Sequence, residues 1–146
     1  MAGYSGKPYS GKPVVEKLGI KPGFFVFTAG APGAYQDIVG KLPAGVTIAA
    51  VLKAPLDMVH VFAMQVSGLA ARLRSARDAI APDGMVWVSW PKKSSGMATD
   101  LSDVVVRQTA LPLGLVDIKV CAIDDTWSGL KFVIPTGLRM KPAARA

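Results

Sequence analysis

The sequence predicts an α/β protein, a three-layer sandwich around a mostly parallel sheet of about six strands closed by an antiparallel C-terminal hairpin. Three observations predict it. Apolar runs alternate with amphipathic stretches from residue 14 to residue 136, and the run at 56–64 is apolar almost throughout, as a strand covered on both faces must be. The last two apolar runs are joined by a link too short for a crossover, which makes them a hairpin.

Residues 14–18 form a short helix that Gly19 closes in a left-handed cap, and Lys21-Pro22-Gly23 turns the chain into a first strand at 24–28. A brief helix is expected at 35–39, and the β-branched run at 46–52 reads as a second strand. Residues 56–64 are the third. Ser67 caps the next helix, where Leu69, Leu73, Ala76 and Ile80 share one side and Arg72, Arg74 and Asp78 face water. Pro82-Asp83-Gly84 ends that helix and a fourth strand follows at 85–90. Thr99 caps a further helix with Asp100 and Asp103 in its first turn and Leu101, Val104 and Val105 on its inner side; Pro112 and Gly114 stop it. Strands at 116–123 and 130–134 complete the chain.

The 146 residues are about one domain's length, read as a flexible lead-in at 1–13, a single domain at 14–136 and a basic tail at 137–146. The lead-in contains YSGKPYSGKP at 4–13, a tandem pentapeptide rich in helix and strand breakers. The net charge of +7 resides at the ends. Residues 1–22 carry four lysines against Glu16 and the tail adds three basic residues, whereas residues 23–136 set ten basic residues against nine acidic ones. Such a body has no basic face to follow a phosphate backbone, so nucleic acid is not the expected partner. No apolar run approaches the roughly 18–20 residues that cross a bilayer, and the first twenty residues are too polar for a secretory signal. The expected setting is the cytoplasm, consistent with the single cysteine, Cys121, packed as a small hydrophobe.

Candidate chemistry is sparse. His60, the only histidine, lies in the most apolar strand and is expected as a hydrogen-bonded core imidazole; without a second histidine neither a zinc site nor a hydrolytic triad assembles. In open α/β sheets ligands bind beyond the carboxyl ends of the strands, where strand order reverses. That edge is expected to gather the turn holding Gly30, Gly33 and Tyr35, then Met64, the loop bearing Ser89, Trp90, Lys92 and Lys93, and the corner of Asp124, Asp125 and Trp127. Lys92 and Lys93 would hold a small anionic ligand against Trp90 or Trp127, or pair with Asp124 and Asp125.

Several stretches carry a resemblance. LGIKPGFFVFTAGAPG (18–33), LDMVHVF (56–62), AIAPDGMVWVSW (79–90) and LGLVDIKVCAIDDTWSGLKFVI (113–134) resemble the corresponding segments of Rossmann-like S-adenosylmethionine-dependent methyltransferases. PDGMVWVSWPKKSSG (82–96) and YSGKPVVEKLGIKPG (9–23), with residues 100–133, resemble a family of small bacterial proteins known only as a domain of unknown function. The methyltransferase resemblance implies an acidic residue at the end of the first strand, a glycine turn, and a second acid after the next strand for the ribose hydroxyls. Here Thr28 or Ala29 takes the first place and Lys53 the second. The expectation is therefore a non-catalytic or cofactor-poor domain that binds a small ligand or a protein. The alternatives are an active methyltransferase whose S-adenosylmethionine rests in a cradle of Gly30, Gly33 and Tyr35, and a self-assembling interaction protein.

Overall fold

The structure, a computed structural model, describes residues 13–139. The tandem pentapeptide, apart from Pro13, and the end of the basic tail lie outside them. Helix α1 (Val14–Leu18) leads into β1 (Phe25–Ala29), α2 (Tyr35–Val39), β2 (Thr47–Ile48), β3 (Leu56–Phe62), α3 (Leu69–Ala79), β4 (Ile80–Pro91), α4 (Asp103–Ala110), β5 (Val116–Ala122) and β6 (Trp127–Val133).

The strands form one open six-stranded sheet in the order β2-β1-β3-β4-β6-β5. The first four run parallel. Strand β6 lies antiparallel to both β4 and β5, so the closing hairpin occupies one edge of an open sheet. Alternation along β3 and β4 divides the interior into two cores. Val59, Val61, Val86 and Val88 meet Leu69, Leu73 and Ala76 of α3 and Val106 and Ala110 of α4 on one face. Met58, Phe62 and Trp87 meet Val15 and Leu18 of α1 and Tyr35 and Val39 of α2 on the other. Helices on both faces of the sheet make the expected three layers.

The departures from expectation have local causes. Strand β2 shrinks from 46–52 to Thr47–Ile48 because it is an edge strand with β1 as its neighbour, and the chain must then cross to the far side of β1 within residues 49–55. A parallel crossover ordinarily contains a helix. This one is a bare loop. Ser67 does not cap α3; Gly68, at φ +78, takes the cap position without a side-chain bond. Thr99 does not cap α4 either, because its hydroxyl donates to the Met64 carbonyl (2.6 Å) and accepts from the Leu101 amide (3.1 Å). Ser102 accepts from the Val105 amide instead, and the later start rotates the buried stripe to Val106 and Ala110. Val104 is consequently half-exposed. Pro82-Asp83-Gly84 joins β4 as a bulge, since pairing passes from Leu56 with Ile80 directly to Met58 with Met85.

Candidate functional site

Strand order reverses between β1 and β3: the chain leaves β1 for β2 on one side and returns to β3 on the other. Gly30 follows β1 at this point with φ +76, and a Cβ placed on it would lie 2.5 Å from the Phe62 carbonyl oxygen. Only glycine lets the chain leave β1 against the backbone of β3. Gly33, at φ +145, has no other atom within 4 Å of the place its Cβ would take, so the far side of the turn presents open backbone.

Tyr35, directly after the turn, points inward. Its hydroxyl is 2.7 Å from His60 Nδ1, and His60 Nε2 is 2.8 Å from Ser89 Oγ. The three side chains come from α2, β3 and β4, and His60 and Ser89 are wholly buried. Phe62 stacks on the imidazole with centroids 4.2 Å apart, and Trp127 meets Phe62 edge-on at 5.3 Å. Burial pushes the His60 pKa down to about 3 and raises that of the Tyr35 phenol above its ordinary range. Both groups are therefore neutral at physiological pH, and the imidazole donates from one nitrogen while accepting at the other. The core imidazole expected from sequence is found, and its partners make it a bridge across three elements.

The remaining expected site residues divide between the two faces. Ser89 and Trp127 join Tyr35 in the aromatic cluster, and the Ser89 carbonyl also accepts from the Ala63 amide (2.9 Å) beside the exposed Met64. Trp90 faces the other way. With Lys92, Lys93, Leu101, Ser102, Asp103, Val120 and Ser128 it lines a pocket of about 290 Å³. Pairing of Trp90 with Ser128 and Pro91 with Trp127 explains the separation, because neighbouring strand positions point to opposite faces. Trp90 thus walls the lysine pocket and Trp127 does not. The ion pairs formed among the described residues are both made by Arg107, with Asp103 and Asp117. Asp124 Oδ1 accepts from the Thr126 and Trp127 amides, both at 2.8 Å, and so shapes its own corner. Asp125 is exposed.

Sequence reasoning missed a second cavity on that same face. Phe27 and Ala29 of β1, Leu52 of the crossover, Val59 and Val61 of β3, and Ala71, Arg72, Ser75 and Ala76 of α3 line an apolar pocket of about 270 Å³ beside the carboxyl end of β1. It exists because a loop replaces a crossover helix. The signal available was the shortness of the 49–55 link. The position expected for a ribose-binding acid also moves: β2 ends at Ile48, so Ala49, Ala50, Val51 and Leu52 follow it, well before Lys53.

No protein-family model matches the chain, and neither does any curated protein. Solved structures do match in fold. The chain is similar to a SAM-dependent methyltransferase from Aquifex aeolicus (13% identity, 83% of this chain and 87% of that one, TM-score 0.57). It is also similar to precorrin-6y C5,15-methyltransferase from Geobacter metallireducens (8% identity, 82% and 84%, TM-score 0.57). A third is Burkholderia thailandensis 1,6-didemethyltoxoflavin-N1-methyltransferase, solved with 1,6-didemethyltoxoflavin and S-adenosylhomocysteine (10% identity, 83% and 76%, TM-score 0.58). The fold is the Rossmann-like fold of S-adenosylmethionine-dependent methyltransferases. These neighbours correct the expectation of a non-catalytic ligand- or protein-binding domain, since they favour its methyltransferase alternative. Among the described residues no helix is long and apolar enough to cross a membrane.

Proposed function

We propose that the protein is an S-adenosylmethionine-dependent methyltransferase whose adenosyl group lies at the carboxyl edge of β1 and β3. The observation that carries this reading is Gly30. It sits at the reversal of strand order with a conformation and a clearance that exclude any side chain, in a fold similar to that of methyltransferases. The residues present fit the group in two respects. Open backbone around Gly33 meets the polar part, and the pocket of Phe27, Ala29, Leu52 and Val61 is an apolar slot for a flat heteroaromatic ring.

They differ from the usual pattern in a third. Thr28 and Ala29 close β1, and Ala49, Ala50, Val51 and Leu52 follow β2, so no carboxylate at these places accepts from the ribose hydroxyls. Backbone carbonyls of the turn would have to accept from those hydroxyls instead. Tyr35 adds nothing to the cradle surface, because its hydroxyl is engaged by His60.

When bound, S-adenosylmethionine supplies an electrophilic methyl group. The protein's part is to hold and orient. His60 is buried and bonded at both nitrogens, so it takes no proton from an acceptor. The pocket of Lys92, Lys93 and Trp90 would hold an anionic acceptor, with the exposed Lys93 among its cations and the indole as its wall. Calorimetric titration with S-adenosylmethionine and S-adenosylhomocysteine tests the reading. Saturable heat with a micromolar to submillimolar Kd is expected, and no heat from either ligand at millimolar concentration would overturn it.

A further inference from the structure

Buried hydroxyls and imidazoles destabilise a core unless every polar atom finds a partner. Leucine or phenylalanine at positions 60 and 89 would avoid that demand. What a polar bridge provides instead is fixed distance and direction. Tyr35, His60 and Ser89 meet it fully, and among the described residues no buried side-chain nitrogen or oxygen lacks a partner.

The ends of the bridge are informative. Ser89 lies opposite Phe62 in the pairing of β3 with β4, at the carboxyl edge. Tyr35 is the first residue of α2, a single turn of helix that has no side-chain cap and is too short to hold its own shape. Among the described residues, the Tyr35–His60 bond is the one side-chain hydrogen bond from α2 to the sheet. Residues 30–34 are therefore anchored at one end by Gly30 against Phe62 and at the other by the Tyr35 phenol on His60. The imidazole also stacks on Phe62, so both anchors bear on the same point of β3.

We infer that His60 is the positioning residue of the glycine turn: by bridging Tyr35 to Ser89 it sets α2 at a fixed height over β3 and β4 and holds residues 30–34 in the shape the adenosyl ligand meets. The part concerning the ligand rests on the methyltransferase reading; the part concerning the turn does not.

Two substitutions separate this role from simple packing. An Asn at position 60 places an amide near Nδ1 and can keep the bond to Tyr35, whereas a Gln reaches toward Nε2 and can keep the bond to Ser89. Amide hydrogen exchange of the free protein is compared for wild type, His60→Asn, His60→Gln and Tyr35→Phe. Exchange of the α2 amides of Asp37 and Gly40, which donate to the Ala34 and Gln36 carbonyls, should rise about tenfold in His60→Gln and Tyr35→Phe, the value of one lost hydrogen bond, and should stay within about twofold of wild type in His60→Asn. Equal acceleration in His60→Asn and His60→Gln, or none in Tyr35→Phe, would overturn the inference.

Nitrogen-15 spectra of the wild type give an answer even where a variant does not fold. One neutral tautomer that persists from pH 8 down to pH 5 is expected from a two-ended bridge, and an imidazole averaged between tautomers would contradict it. S-adenosylhomocysteine is then titrated into the same set. Affinity about tenfold weaker in His60→Gln than in His60→Asn supports the positioning role in full. Absence of wild-type binding, with the exchange pattern intact, removes the methyltransferase reading and leaves the anchoring of the turn standing.

Discussion

Among the described residues, every buried side chain on the α3 and α4 side of the sheet is apolar, whereas the α1 and α2 side buries His60, Ser89 and Lys17 among its aromatic and aliphatic neighbours. The two cores share their strands and differ in what they specify. Apolar burial is non-directional, so it stabilises the sandwich without aiming any one group at a turn. A chain of hydrogen bonds at 2.7 and 2.8 Å tolerates little displacement, and it is found beneath the turn proposed to hold the cofactor. Both faces bury apolar side chains, and the α1 and α2 face adds directional bonds to that burial.

The largest effect should come from breaking the wholly apolar side. Leu73 is fully buried between α3 and the sheet, and Leu73→Ala should lower unfolding free energy by about 3–5 kcal/mol while leaving the His60 tautomer unchanged in nitrogen-15 spectra. Gly30→Ala should follow at about 2–4 kcal/mol, because it adds a positive-φ penalty to a collision with the Phe62 carbonyl. Gly33→Ala, with open space around it, should cost about 1–2 kcal/mol, and denaturant titration of the pair measures the difference.

The polar side sharpens the comparison through pH. His60 has a folded pKa near 3 against 6.5 unfolded, so below pH 6.5 the unfolded chain takes up the proton first and stability falls with pH until the folded group also titrates. Wild type should therefore lose about 2 kcal/mol between pH 7 and pH 5 that His60→Gln retains. Equal losses in the two proteins, measured by urea unfolding at each pH, would show that His60 is not held neutral. The smallest expected effect on stability belongs to Lys93→Ala. This side chain is exposed, so the change should stay within about 0.5 kcal/mol while binding of an anionic acceptor weakens in direct titration.

The outline of the fold was legible because it rests on patterns spanning whole segments. The apolar run at 56–64, the repeat of Leu69, Leu73 and Ala76, and the brevity of the final link each led to the right element. Ends were less legible wherever two residues competed for one task. Thr99 and Ser102 are both good caps, and the choice between them depends on the Met64 carbonyl 35 positions away, which claims Thr99. The run at 46–52 has a strand's composition, yet its length in the sheet is limited by the crossover around β1.

The site was legible by region and not by partnership. Gly30, Tyr35, Ser89 and Trp127 do converge, with His60 at their centre, but contacts across 25 and 29 residues leave no local trace. The sequence leaves open whether Trp90 or Trp127 walls the lysines, because the hairpin register that sends them to opposite faces is set by pairing across β4 and β6. The pocket at Leu52 arises from a helix that is missing, which a search for motifs passes over.

Methyltransferase activity requires that an adenosyl group meet the chain at the turn after β1. Titration of nitrogen-15-labelled protein with S-adenosylhomocysteine, followed amide by amide, tests this directly. Saturable shifts concentrated at residues 29–35, 52 and 61–64 are predicted. Shifts confined to the face of Lys92 and Lys93, or none up to about 1 mM ligand, a limit of roughly 4 kcal/mol in affinity, would contradict it.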